Sequence, residues 1–479
     1  MLEPQGTGFF LILIVAFGAL LYWVAVAKQT VFRVFAACLA FIPAMVFGIA
    51  TVNKYYDYYQ SWGAMINDLT GQGAAVIPKY SAGGLNSGKQ LQRDLNRGTN
   101  TAEDATVGFL FQTTVTGPKT HISRIVYVYL PPQYFQKAYV HYRFPAIELL
   151  HGSPGTPSAW VDVLDVIPTF LNLLATHQAA PAVLVMPDID GGERYSLQCL
   201  DNPGGIQDMT FVAREVPAAI AKSVSVQPPG KAWGVAGYSE GGYCAANIAL
   251  QEPGLFGYAG ILSGYFKPLT SQVPIGNKPG ARPQRVYVFA HLPQLAIRNS
   301  PVEYITQVPV GVFLPNFWLA AGQGDKGDVQ AASQFQQLAT TRQANVPLRI
   351  IPGGHTGSVW RAALAPMLSW MTPQLTQQAA IADAAAARAR EAAQKAHAAK
   401  PTGKPGKPSA PPRRGEPPAK RVSPLSSDRR PGDRHRPGRR VVVPGSRADQ
   451  DQVLVLGLLG EFRGRRGAGT TRGERLVAR

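Results

Sequence analysis

The sequence predicts an α/β domain with a mostly parallel sheet, preceded by a two-helix transmembrane hairpin and followed by a disordered basic tail. Three observations carry this. Two uncharged runs of twenty residues open the chain. Short β-branched runs then alternate with helix-length segments from about residue 106 to 371, and Pro, Arg, Lys, Gly and Ser dominate from residue 401 onward. Strand–helix alternation argues for parallel strands joined by helical crossovers, and about 265 residues give one such domain ample core.

The hairpin comes first, over residues 1–60. Gly8–Ala27 and Val34–Asn53 carry no charged side chain, and about twenty helical residues suffice to cross a hydrocarbon core about 30 Å thick. Six residues, KQTVFR, separate the runs, enough for a tight turn. Lys28 and Arg33 fall in that turn while only Glu3 precedes the first run. The positive-inside bias therefore puts the turn in the cytoplasm and everything after residue 53 outside, so the chain is expected at the cell membrane as a two-span protein with an extracytoplasmic domain. A cleavable signal peptide would have a basic n-region and a shorter apolar run; two buried helices of a soluble protein are the other reading. Tyr55, Tyr56, Tyr58, Tyr59 and Trp62 form either an interfacial aromatic belt or the first core aromatics of the next domain.

Residues 61–105, rich in Gly, Asn, Ser and Gln, read as a stalk or loosely packed lead-in to the domain. VGFLFQTTV, RIVYVYL, AIELL, AVLVMPDID, KAWGVAG, NFWLAAG and LRIIPGG then read as strands. AWVDVLDVIPTFLNLLAT, DMTFVAREVPAAIAKSV, residues 328–343 and a last segment through Trp370 read as helices. Residues 372–400 are Ala-rich and read as a separate exposed helix. Residues 401–479 cannot bury enough apolar surface to offset chain entropy and are expected to be disordered; the apolar run VLVLGLLG within them is too short to span a bilayer.

The charge follows this division. The net charge is +18, and residues 401–479, with 19 basic and 7 acidic residues, supply +12 of it. Residues 54–370 hold 22 basic and 19 acidic residues. The folded part is therefore nearly neutral, which argues against a nucleic-acid-binding domain. The tail could contact anionic wall polymers or lipid headgroups, or be an extension with no ligand. Three cysteines exclude a disulfide scaffold, and no Cys/His group has zinc spacing; no metal or organic cofactor is implied.

The sharpest chemical signal is Gly237-Tyr238-Ser239-Glu240-Gly241, a G-x-S-x-G between an apparent strand and an apparent helix. Such a tight turn needs small neighbours and presents the serine hydroxyl at a helix N-terminus, where negative charge is favoured. A glycine-rich turn required only for packing is the bland alternative. A serine needs a base, and His355, in a glycine-flanked loop between the last strand and the last helix, suits that role. Two acids follow the strand NFWLAAG. Asp325, nearer the strand end, is the favoured partner for His355; Asp328 is the alternative, or else caps the following helix. Oxyanion donors are expected from the N–H of Glu240 and from the loop His151-Gly152-Ser153-Pro154-Gly155, where Ser153 is the choice because Pro154 has no N–H. A plain turn is the other reading of that loop, and His151 could contact substrate or pack on it.

LLHGSPG, VMPDIDGG, QCLDNPGG, GYSEGGYCAANIALQEPGLFGYAGILSG, WLAAGQGD and PGGHTGSVWRAAL, in this order over about residues 107–371, resemble the esterase family of α/β-hydrolases that includes esterase D-like enzymes, feruloyl esterases and antigen 85-type mycolyltransferases. The chain is similar in particular to membrane-tethered actinobacterial esterases. The resemblance implies an α/β-hydrolase fold, places nucleophile, acid and base on Ser239, Asp325 and His355, and places the oxyanion donors on Ser153 and Glu240. It also favours a Cys199–Cys244 bridge, which an oxidising exterior permits, over two unpaired thiols. Mycolyltransferases usually carry a glutamate acid in a segment this chain does not match, and lack the hairpin. The function expected is hydrolysis of carboxylic esters through an acyl-serine. Transfer of the acyl chain to an envelope sugar or lipid alcohol is the runner-up, and a non-catalytic envelope-binding protein on a hydrolase scaffold the third reading.

Overall fold

A computed structural model describes residues 2–70, 79–80, 104–191, 196–203, 205–269, 272–274, 285–287 and 292–398. The expectations for most of the stalk and for the tail at 401–479 lie outside these residues. The described residues belong to one compact unit.

The chain begins with two long apolar helices, α1 (Thr7–Val26) and α2 (Thr30–Tyr56), both long and apolar enough to cross a membrane. They pack against each other and leave large apolar side chains such as Ile14, Val15, Phe41 and Met45 exposed. Arg33, expected in the turn, lies in the first turn of α2. Its Nε reaches back to the Ala27 carbonyl at 2.7 Å, so it satisfies a carbonyl at the end of α1 and adds favourable charge there.

A nine-stranded sheet follows. Its strands are β1 (Lys79–Tyr80), β2 (Phe109–Thr116), β3 (Ser123–Leu130), β4 (Ala146–Leu150), β5 (Val183–Pro187), β6 (Gly230–Tyr238), β7 (Phe256–Leu262), β10 (Asn316–Gly322) and β11 (Leu348–Ile351). The spatial order is β1-β2-β3-β5-β4-β6-β7-β10-β11. A separate two-stranded sheet pairs β8 (Gln272–Pro274) with β9 (Arg285–Tyr287). Within the large sheet only β3 runs against its neighbours; all other pairs are parallel. This is the mostly parallel sheet with flanking helices of an α/β-hydrolase fold.

Apolar side chains cover both sheet faces. On one face α5 (Val216–Ser223) and α6 (Glu240–Gln251) join a core that includes Val128, Trp233, Val235, Phe256 and Phe317. On the other, α4 (Val166–Ala175) and the last helix bury Leu149, Leu184, Ala236, Leu262 and Trp318. Strands covered on both faces read as continuous apolar runs, and this is why AIELL and VLVMP lack alternation. Glu148 departs from that rule. It sits in the middle of β4, fully buried, with neither carboxyl oxygen hydrogen-bonded among the described residues. Burial pushes its pKa well above the ordinary carboxylate value, which favours the neutral form.

Two predicted helices are interrupted. The segment expected over 159–176 breaks at Asp165, which adopts a left-handed conformation (φ 51°) between the short helix Ala159–Asp162 and α4. The segment starting at Asp208 widens into a π turn over Phe211–Glu215 before α5. The helix expected at 328–343 is α8 (Lys326–Thr341); α7 (Pro301–Gln307) packs beside it.

The largest departure concerns the C-terminal boundary. No break separates the domain from the Ala-rich segment. A single helix, α9, runs from Gly357 to Ala398 with Pro366 and Pro373 inside it. Met371, Leu375 and Ala379 are fully buried, and Met371 and Leu375 lie against Gly234 of β6. The buried core continues past residue 371, and the helix beyond Ala379 is exposed. Losing one buried Leu side chain typically costs about 2–5 kcal/mol. A chain ended after Met371 is expected to lose at least about 2 kcal/mol in chemical denaturation relative to one ended after Ala398; equal stability of the two would contradict this packing.

Candidate active site

Five parallel strands end level with one another. Leu150 of β4 pairs with Gly237 of β6, Gly237 with Ile261 of β7, Ala320 of β10 with Leu262, and Gly322 with Ile351 of β11. The loops that leave β4, β6, β10 and β11 carry His151–Ser153, Ser239, Asp325 and His355, so the ladder brings together residues up to two hundred positions apart. Crevices at the carboxyl ends of parallel strands are the usual ligand sites of such sheets.

Ser239 occupies the turn between β6 and α6. Its backbone is strained, with φ 53° and ψ −119°, a region that non-glycine residues adopt rarely and mostly at functional positions. The turn is held by a hydrogen bond from the Ser239 N–H to the Leu262 carbonyl at 2.9 Å. Its tightness explains the flanking glycines. A Cβ on Gly237 would meet the Gly241 carbonyl, and one on Gly241 would meet the carbonyls of Leu150 and His151.

His355 Nε2 lies 2.9 Å from Ser239 Oγ. Its Nδ1 faces two carboxylates, Asp325 Oδ2 at 3.1 Å and Asp328 Oδ2 at 2.9 Å. A single acid with the other as helix cap was expected. Instead Asp325 is the cap, accepting the Asp328 N–H on Oδ1 at 3.1 Å, while its second oxygen and Asp328 share the imidazole. Burial by itself disfavours the imidazolium, but the hydrogen bond and charge of Asp328, joined by Asp325, outweigh it and raise the His355 pKa above 6.5. Burial raises the Asp328 pKa, against the lowering effect of His355. These three side chains could also hold a metal ion, since their ligand atoms lie within 4.8 Å of one another; their hydrogen bonds to each other and to Ser239 already account for the arrangement.

Trp360 was not singled out in the sequence. Its ring meets the His355 imidazole edge-on at 5.2 Å and lies 4.6 Å from Tyr238, forming an apolar wall that keeps the base in place. The only sequence sign is its position one turn into the helix after His355.

The loop after β4 closes over Ser239. A Cβ on Gly152 would come within 3.2 Å of the Ser239 Cβ and 2.7 Å of the Tyr238 ring; the following Ser153–Pro154 peptide is cis. His151 packs on this loop. It is fully buried, accepts the Ile189 N–H on Nε2 at 3.1 Å, and bonds the Gly152 carbonyl from Nδ1 at 2.8 Å. The Glu240 N–H stands at the start of α6. Its side chain turns inward to accept the Gln198 N–H at 2.8 Å. Burial, reinforced by Asp190, raises its pKa well above the carboxylate range. A neutral carboxyl there does not oppose negative charge developing at the helix N-terminus. Cys199 and Cys244 are joined in a disulfide that ties the Gln198 segment to α6.

With this geometry established, the chain was compared with known proteins. The model of the family described as "Putative esterase" matches residues 118–371, just over half of the chain. The chain belongs to this esterase family. It is 26% identical over 278 residues to an uncharacterised protein of Corynebacterium glutamicum, covering 57% of this chain and 63% of that protein. It is 40% identical over 78 residues to the MPT51 antigen of Mycobacterium leprae, covering 16% of this chain and 25% of the antigen. The chain thus spans less than two thirds of either relative. Among solved structures it is similar to a ferulic acid esterase (22% identity, TM-score 0.47, 56% of this chain and 98% of that one). It is also similar to an S-formylglutathione hydrolase from Staphylococcus aureus (17% identity, TM-score 0.42, 55% of this chain and 99% of that one).

The two carboxylates on one imidazole make a test. A general base works only when neutral, so kcat/KM for a soluble ester should fall as pH drops through the His355 pKa, with a midpoint above 6.5. Asp328→Asn should move that midpoint down, because it removes the group that most favours the imidazolium. The Asp325→Asn/Asp328→Asn double variant should lose about 10⁴ in kcat, and each single variant less. An unmoved midpoint in Asp328→Asn would mean that Asp328 does not act on His355.

Proposed function

We propose that this family member is a membrane-anchored serine esterase that cleaves carboxylic esters through an acyl-serine, with Ser239, His355 and the Asp325/Asp328 pair as its catalytic groups. The observation that carries the reading is the 2.9 Å contact between His355 Nε2 and Ser239 Oγ, with carboxylates behind Nδ1. In this mechanism the carboxylates hold the Nδ1–H tautomer, leaving Nε2 free to take the hydroxyl proton as Oγ attacks the ester carbonyl. The carbonyl oxygen becomes an oxyanion, received by the N–H groups of Ser153 and Glu240 at the α6 N-terminus. The imidazolium then returns its proton to the leaving alkoxide, which departs as the alcohol. Water attacks the acyl-serine in the reverse sense, releasing the acid and regenerating Ser239. An alcohol in place of water gives acyl transfer by the same steps, so product analysis with a competing sugar or glycerol acceptor separates the two.

The anchoring half of the proposal rests on the length and apolar exposure of α1 and α2. The orientation rests on the basic residues near the turn and on the Cys199–Cys244 disulfide, a bond that persists in oxidising compartments. Both observations favour a domain outside the cell membrane.

Two arms test this. Ser239→Ala should lower hydrolysis of a short aryl ester by at least about a thousandfold, with thermal unfolding unchanged within a few degrees; retained hydrolysis would sink the acyl-serine assignment. On intact cells, a membrane-impermeant fluorophosphonate should label the wild-type protein but not Ser239→Ala. Labelling only after lysis would put the domain on the other side.

A further inference from the structure

The second span does not lead to the catalytic domain through a free linker. It ends against the wall of the active site. Asp57, the residue that stops α2, adopts a left-handed conformation (φ 48°) and offers both its carboxylate and its carbonyl to Arg361. Arg361 Nη2 lies 2.5 Å from Asp57 Oδ2 and 3.3 Å from the Asp57 carbonyl, and its Nη1 donates to the Val163 carbonyl at 2.7 Å. The ion pair is mostly buried, with side-chain exposures of 16% and 21%, so it is less screened than a surface pair. Gly357 sits so close to the Asp57 carbonyl that a Cβ would clash with it. Tyr58 and Tyr59 pack on the same core cluster as Trp160, Tyr238 and Trp360. The helix α3 (Trp62–Thr70) then lies beside Ala159–Asp162, which follows the Ser153 loop.

The other end of the hairpin is laced to the same point. Asn53 and Gln5 both donate to the Tyr59 carbonyl, at 2.8 Å and 3.0 Å. Trp62 donates from its indole to the Leu2 carbonyl at 2.6 Å and meets Phe9 edge-on at 4.9 Å. Both helix ends away from the turn are therefore fixed to the catalytic domain. The five aromatics divide accordingly. Tyr55 and Tyr56 are exposed, while Tyr58 and Tyr59 are docked.

Lengths then set the depth of the site. The 27 residues of α2 span about 40 Å at 1.5 Å per residue, some 10 Å more than a hydrocarbon core of about 30 Å. The end bearing Lys54 and Asp57 therefore stands in the headgroup layer. Gly357, in contact with Asp57, is two residues from His355, which puts the base on the order of 10 Å from the end of the span. That distance is comparable to the thickness of the headgroup layer itself.

We propose, building on the esterase reading above, that this docking holds Ser239 at headgroup level so that the ester it attacks belongs to a lipid of the same bilayer leaflet. The Asp57–Arg361 contact sets the angle of the domain on the membrane, and Asp57 is a positioning residue, remote from the reacting atoms. A lipid ester bond at the polar boundary reaches Ser239 without the acyl chain leaving the hydrocarbon. The acyl group passes to Ser239 Oγ while the lipid alcohol leaves with the proton from His355.

The test uses the full chain in phosphatidylcholine/phosphatidylglycerol vesicles and two serine-reactive phosphonates, one water-soluble and one carried on a long-chain lipid in the bilayer. In the wild type the lipid-borne probe should label Ser239 faster than the soluble one at equal bulk concentration. Asp57→Ala should label normally with the soluble probe, which also reports that the site is folded. Its ratio of lipid-borne to soluble labelling rate should drop at least about tenfold, as the effective concentration at the leaflet is lost. An unchanged ratio overturns the proposal while leaving the esterase reading intact, and so does an equal loss with both probes, which would make Asp57 merely structural. No labelling of wild-type Ser239 by either probe would instead remove the esterase reading itself.

Discussion

The parallel ladder of β4, β6, β7, β10 and β11 is the constraint on which the site depends. Ser239, the Asp325/Asp328 pair and His355 lie at three separate places in the sequence, each just after a different strand. They meet because Gly237, Leu150, Gly322 and Ile351 are held level by backbone hydrogen bonds, and because each loop leaves its strand at the same edge. A slip of one residue in any of these pairings would turn every side chain of that strand to the other face. The two-sided core, with Trp233 and Val235 on one side and Ala236 and Trp318 on the other, makes such a slip expensive. Packing that is ordinary for a buried sheet thus supplies the positional accuracy that proton transfer requires.

Electrostatics at the site are arranged around one sign change. Two carboxylates face His355 Nδ1 and favour its imidazolium form, the form the proposed mechanism needs when Ser239 gives up its proton. At the α6 N-terminus the Glu240 side chain turns inward to the Gln198 N–H, and burial, reinforced by Asp190, raises its pKa to about 8. The double duty of Asp325 ties this to the fold, since the carboxylate that holds the imidazole also caps α8.

Much of this was legible in the sequence, for physical reasons. The strand-to-helix context of Ser239 follows from the need for small residues at a tight turn, and the apolar runs at Ala146–Leu150 and Val183–Pro187 follow from burial on both faces. Local pattern could not show what depends on distant contacts. Asp325 and Asp328 are three apart at a helix start, and only the approach of His355 determines that both face it. The Ala-rich segment reads as exposed because alanine packs against a strand or faces water equally well; Met371 and Leu375 find their cavity only because Gly234 leaves one. Glu148 is hidden inside an apolar run, and nothing in its neighbours announces an unpartnered carboxyl. The Asp57–Arg361 pair joins residues 304 positions apart, a contact no periodicity can signal.

The hairpin and the catalytic domain are best regarded as one mechanical unit, with the end of α2 built into the wall that carries the base. The whole account nonetheless stands on the chemistry of a single hydroxyl. The most direct measurement is mass spectrometry of the chain quenched in acid during turnover of a slowly released aryl ester. The account predicts an added acyl mass on the peptide containing Ser239, appearing in a burst together with the released phenol and absent in Ser239→Ala. Turnover at steady state with no adduct on that peptide, or an adduct on another residue, would contradict it.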